Sequence, residues 1–113
     1  MRYLLFIYPH KSVELTAEQR AEIPGAVGAW VSEMEDRGVR LTGDVLQPAS
    51  EAATVGVRHG EVQIGHGPVS EAEPQISGFN MLDCADLDEA LEVAAKHPVA
   101  AFGTLELRRF AEA

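Results

Sequence analysis

Cysteine is nearly missing from this chain. Its one thiol, Cys84, cannot close an internal disulfide, and no paired-Cys spacing marks a zinc site. Basic residues are also few: 9 Lys and Arg stand against 18 Asp and Glu, giving a formal net charge of −9. The basic residues are scattered, and the acidic field repels a phosphate backbone, which argues against direct nucleic-acid binding. No long apolar run exists. The opening Tyr3-Leu4-Leu5-Phe6-Ile7-Tyr8 is too short for a signal-peptide core or a bilayer span. The expectation is a cytoplasmic protein without membrane attachment. No His-x-x-x-His pair, phosphate-binding glycine motif or Ser-elbow motif is present, so neither a metal nor an organic cofactor is expected.

At 113 residues, 46% hydrophobic and 24% charged, the chain has the size and composition of one globular domain. Tyr3 to Tyr8 is apolar at both alternating sets of positions, which predicts a strand covered on both faces. Thr16-Ala17-Glu18-Gln19 is a capping box. Because Pro24 follows, the reading is a short helical turn and then a main helix from about Pro24 to Arg37. Val27, Trp30, Val31 and Met34 form its apolar stripe, and Gly38 supplies a left-handed cap.

A second strand runs from Val39 to Leu46. Thr54 to Arg58 and Glu61 to Gly65 then alternate apolar and polar around His59-Gly60, the signature of a hairpin. After a loop from His66 to Gln75 come a strand at Ile76 to Cys84 and a helix started by Asp86-Leu87-Asp88-Glu89. Phe102 to Phe110 is the last strand. The order β-α-β-hairpin-β-α-β predicts an α+β fold: a ferredoxin-like antiparallel sheet, two helices on one face, and an inserted hairpin. The helices cover one face while the first strand is greasy on both. The uncovered face therefore predicts a homodimer, the alternative being the inserted hairpin folded back over it as a lid.

The chain resembles the YCII-related, or DGPF-domain, family. The resemblance is carried by Tyr3 to Tyr8, Gly38-Val39, Leu46-Gln47-Pro48, Thr54 to Arg58, Gly67-Pro68 with Glu71, Gly78-Phe79, Leu87 to Ala90, Pro98 and Leu105 to Arg108. It spans nearly the whole length and implies a dimeric α+β barrel. Asp-Gly-Pro-Phe, the naming motif, is replaced here by His66-Gly67-Pro68-Val69, and a basic residue common in relatives is Glu73. The histidine that smaller relatives carry on the first helix has no counterpart between Pro24 and Arg37, so their His–Asp pair does not transfer.

The residues themselves offer a ligand cleft beside the sheet, lined by Tyr8, Gln47, His66 and Arg108, for a small-molecule ligand. One alternative is an acid/base enzyme of elimination or isomerisation using His66 with a carboxylate such as Asp44 or Asp83. Another, implied by the resemblance, is a regulatory partner of a sigma-factor-type transcription regulator. Asp83 also reads as a helix cap, Asp44 as a bend residue, and Glu106 with Arg108 as an ion pair. Trp30 and Met34 read as core, Cys84 as an inert buried thiol, and His97 as a helix-end residue favoured by the dipole.

Overall fold

The computed structural model describes residues 1–112. Six strands and two α-helices follow the order read above. Strands β1 (Arg2–Pro9), β2 (Arg40–Val45), β5 (Gly78–Asp83) and β6 (Gly103–Arg109) form an antiparallel sheet ordered β2-β5-β1-β6. Helices α1 (Ala17–Asp36) and α2 (Leu87–Ala95) lie on one side of it. Strands β3 (Ala53–Arg58) and β4 (Glu61–His66) make a separate two-stranded sheet. The fold is the ferredoxin-like α+β arrangement with an inserted hairpin.

The two-residue period of β1 divides its side chains cleanly. Tyr3, Leu5 and Ile7 point at the helices and are buried; Leu4, Phe6 and Tyr8 point the other way and are half-buried. On β5 the inward set is Gly78, Asn80 and Leu82. Trp30 and Met34 of α1, with Ala90, Val93 and Ala94 of α2, close over Tyr3, Leu5 and Leu82 to form the core. The Trp30 indole Nε1 donates to the Val93 carbonyl at 3.0 Å, tying the two helices together. Between their exposed ends, Arg37 donates to Glu92, and Lys96 reaches Glu33 and Glu92.

Helix α1 departs from the expected break at Pro24. It runs unbroken from Ala17 to Asp36 with Pro24 inside. The Thr16 hydroxyl accepts from Gln19 N–H at 3.1 Å, and the Gln19 side chain accepts from Thr16 N–H at 2.8 Å. Nucleation therefore occurs before the proline. Arg20 and Pro24 are both exposed, so the carbonyl denied its i→i+4 partner can turn to water. Gly38, at φ 73°, ends the helix as expected: Gly38 N–H donates to Glu35 O and Val39 N–H to Met34 O, both at 2.9 Å, a Schellman pattern. His59 and Gly60 both adopt positive φ, 52° and 79°, which matches the twist a two-residue hairpin turn requires.

Candidate functional site

Between the N-terminal two-thirds of α1 and the β2–β5 half of the sheet lies a cavity of about 420 Å³. Its existence follows from side-chain size. Glycines occupy two inward positions on this half of the sheet, Gly43 and Gly78, and leave room under the helix beside Arg40, Val45 and Asn80. Ile7 contributes from β1, while Ile23, Val27, Trp30 and Val31 form the helical wall and Val99 and Phe102 close one end. The walls are thus mainly aliphatic and aromatic, with five polar residues among them: Arg40, Asp44, Ser77, Asn80 and His97. The Asp44 carboxylate is engaged by Val45 N–H, and the Ser77 hydroxyl reaches the Ile7 carbonyl.

Asn80 belongs to the inward set of β5, and its side chain is buried. Its Oδ1 accepts a hydrogen bond from Arg40 Nε at 2.8 Å; its Nδ2 has no partner among the described residues and is left as a donor. Arg40 is largely shielded, at 12% side-chain exposure, and its Nη1 lies 3.6 Å from Glu35 Oε1. The guanidinium is therefore held between an external carboxylate and an internal amide, with donor capacity left over. Gly43 makes this possible. A Cβ on that residue would collide with Asn80 Oδ1 and the Phe79 carbonyl oxygen and crowd Arg40 Nη2.

His97 is also buried, 3% exposed, with its ring edge-on to Trp30 at 4.7 Å between centroids. Its Nδ1 accepts from Val99 N–H at 3.0 Å, so the proton of the neutral ring sits on Nε2. Burial pushes its pKa down to about 4, and the imidazole is neutral at physiological pH. The site thus presents N–H groups from Arg40, Asn80 and His97. A ligand with acceptor oxygens on a compact, flat body matches that donor set.

The four residues singled out from sequence lie elsewhere. Tyr8 and Arg108 stand on the sheet face turned away from the helices. Arg108 Nε donates to Glu106 Oε2 at 2.8 Å, within the strand, and the Tyr8 phenol is raised in pKa by burial and by nearby Glu106. Gln47 lines a separate groove with Pro48, Pro68 and Gln75. His66 ends β4, exposed and opposite Ala53, with no hydrogen bond to a carboxylate among the described residues. None of the four lines the cavity between the sheet and α1; a groove of about 530 Å³ at the hairpin-to-strand loop, lined by Pro68, Glu71, Glu73 and Gln75, includes Gln47 but not Tyr8, His66 or Arg108. Asp83 meets the N-terminal ammonium at 3.3 Å, while Asp86 caps α2 by accepting from Glu89 N–H. Asp44 accepts from Val45 N–H, a bend role. Cys84 is buried and its thiol pKa is raised, chiefly by burial.

Arg40, Asn80 and His97 were overlooked in the sequence for different reasons. Asn80 carried a usable signal, a polar residue in the otherwise apolar inward set of β5. His97 precedes Pro98 and, as N-cap of a short 3₁₀ turn at Pro98–Ala101, is drawn inward by the bond to Val99 rather than placed by a helix dipole. Arg40 carried no signal, since only the fold brings it to Asn80.

Among the described residues, no group of three or more His, Cys, Asp or Glu is arranged to hold a metal ion. No helix is long and apolar enough to cross a membrane.

Comparison with known proteins adds a family and a fold. The family model for the YCII-related domain matches residues 1–112. An uncharacterised protein, R00369, of Rhizobium meliloti (strain 1021) is 45% identical over 49 residues, 43% of this chain and 40% of that protein. The match thus spans well under half of the curated relative's length. In solved structures, the chain is similar to 5-chloro-2-hydroxyhydroquinone dehydrochlorinase (TftG) from Burkholderia phenoliruptrix AC1100, in complex with 2,5-dihydroxybenzoquinone. The TM-score is 0.54 at 13% identity, covering 100% of this chain and 96% of that one. At that identity the likeness concerns the fold.

Proposed function

The chain belongs to the YCII-related domain family, and from that premise we propose that it is a homodimeric small-molecule-binding protein whose ligand sits between α1 and the sheet. The observation that carries the reading is the convergence of three donor side chains, Arg40, Asn80 and His97, on one apolar cavity of about 420 Å³. No fully buried side-chain nitrogen or oxygen lacks a hydrogen-bond partner among the described residues, so the spare donors are those open to the cavity, where a ligand's acceptor oxygens take the place of water. The donor set and the Trp30 and Phe102 rings favour a small, flat, oxygen-bearing ligand: a carboxylate, a phenolate or a quinone. The bound 2,5-dihydroxybenzoquinone of the structural neighbour is of this type, which supports the choice of probes.

The homodimer is favoured by the sheet's other face, where Leu4, Phe6, Phe79 and Met81 are half-buried with no layer over them. Isothermal titration with 2,5-dihydroxybenzoquinone and 2,5-dihydroxybenzoate tests the ligand reading. Binding that disappears in Arg40→Met and Asn80→Leu supports it. Binding indifferent to both substitutions refutes it.

A further inference from the structure

The hairpin β3–β4 has a face that none of the described residues covers. Its register sets Val55 opposite Ile64 and Val57 opposite Val62, so four aliphatic side chains share one side, with Ala53 and His66 at the root. They are 73%, 71%, 58% and 64% exposed, respectively. The opposite side carries Thr54, Arg58, Glu61 and Gln63. A two-stranded hairpin alone is marginal in water, and one with an apolar side is a docking element or a liability.

We infer that this hairpin is an exchange arm: each copy of the chain lays Val55, Val57, Val62 and Ile64 on the open sheet face of a second copy. The inference rests on the homodimer reading above and goes beyond it by naming the element that completes the contact.

Three observations select a second copy as the occupant. The first is charge. At −9 per chain, two copies repel one another, but the aliphatic side of the arm bears no Asp, Glu, Lys or Arg. The sheet face that receives it carries both signs, Arg2 and Arg108 beside Asp44, Asp83 and Glu106, so this contact adds little like-charge repulsion. The second is area. Four strands at ~4.8 Å spacing and ~20 Å length present a flat face of ~400 Å², about half of the ~800 Å² per partner that a stable interface needs. The arm's ~10 Å by ~20 Å side adds ~200 Å² more, and the relief of the side chains raises the accessible area above both projections. The third is reciprocity. Two faces stay uncovered among the described residues, the aliphatic side of the arm and the sheet face with Leu4, Phe6, Phe79 and Met81 at its centre, and a two-fold axis covers both with one contact repeated.

Two measurements on the full chain test this. Sedimentation equilibrium compares the native protein with Val55→Lys/Ile64→Lys and with the milder Val57→Thr/Val62→Thr. Trp30 emission confirms that the core is intact, since Trp30 lies far from the arm. The expected result is a native dimer whose dissociation constant rises about a hundredfold in the lysine variant and less in the threonine variant. Second, Ile64→Cys labelled with benzophenone-maleimide is photolysed; the native Cys84 is buried and does not label. A cross-linked band at about twice 12.2 kDa supports the arm's placement on the partner. A native dimer unchanged by both double substitutions, or cross-links confined within one chain, overturns the arm while leaving the homodimer standing. A native monomer overturns both.

Discussion

Arg40 and Asn80 meet across the β2–β5 pair, Nε to Oδ1 at 2.8 Å, directly against a strand position where only a glycine fits. Arg40 sits next to a register shift in β2, between Arg40 and Thr42, and the strand resumes its pairing with Gly43 opposite Asn80. The pair therefore depends on a local irregularity of the sheet and on a missing Cβ.

Gly43→Ala is the sharpest test of that dependence. The methyl group has backbone on one side, the Phe79 carbonyl, so it cannot be accommodated by moving a side chain alone. Thermal and urea denaturation are expected to show a loss of about 1–3 kcal/mol, the range typical of overpacking. Ligand affinity is expected to fall with it, as Arg40 and Asn80 are pushed apart. A variant as stable as the native chain and equally able to bind contradicts this account.

His97 predicts a pH dependence with a definite sign. Its folded pKa, about 4, lies below the ordinary 6.5, so the unfolded chain binds the proton more readily between those values. Stability is complete above about pH 6.5, declines as pH falls toward 4, and changes no further through this group below that. The full effect is up to ~3 kcal/mol, from ~1.36 kcal/mol per pKa unit. Urea melts at several pH values should show this slope, and His97→Gln should flatten it between pH 6.5 and 4.

Glu92 titrates in a lower window. Its hydrogen bond and charge contact with Arg37 hold its pKa down at about 2 from the ordinary 4.5. The stabilisation is present above pH 4.5 and is lost as pH drops through about 2. In Arg37→Ala the carboxyl, followed by NMR, is expected to return close to its ordinary range. High salt should weaken the native shift, since the pair is on the surface.

Trp30→Phe removes an indole N–H and leaves the Val93 carbonyl with only the longer bond from Lys96 N–H, at 3.3 Å. A loss of about 0.5–1.5 kcal/mol in a urea melt is expected, beyond what the smaller ring costs in packing. A neutral result would mean that the bond between α1 and α2 contributes nothing.

The fold was largely readable in the sequence because its signals are local. Alternation in Tyr3 to Tyr8 separated the two sheet faces, His59-Gly60 marked the hairpin turn, and Gly38 marked the end of α1. Pro24 does not break the helix, since a capping box that opens eight residues earlier, at Thr16, outweighs one missing donor on an exposed side. The site was less readable because it is made by non-local approach. Arg40 and Asn80 are 40 residues apart, and their meeting needs Gly43 between them. Tyr8 and Arg108, chosen for their chemistry, do lie on one sheet face, but it is the face opposite to the cavity.

The most direct measurement uses Trp30, the chain's single tryptophan and part of the cavity wall, as a reporter. Titration with 2,5-dihydroxybenzoate should change its emission saturably, and Arg40→Met should weaken the apparent affinity about ten- to a hundredfold. A saturable signal of the same affinity in native and Arg40→Met protein, or none in either at millimolar ligand, would contradict the placement of the ligand between α1 and the sheet.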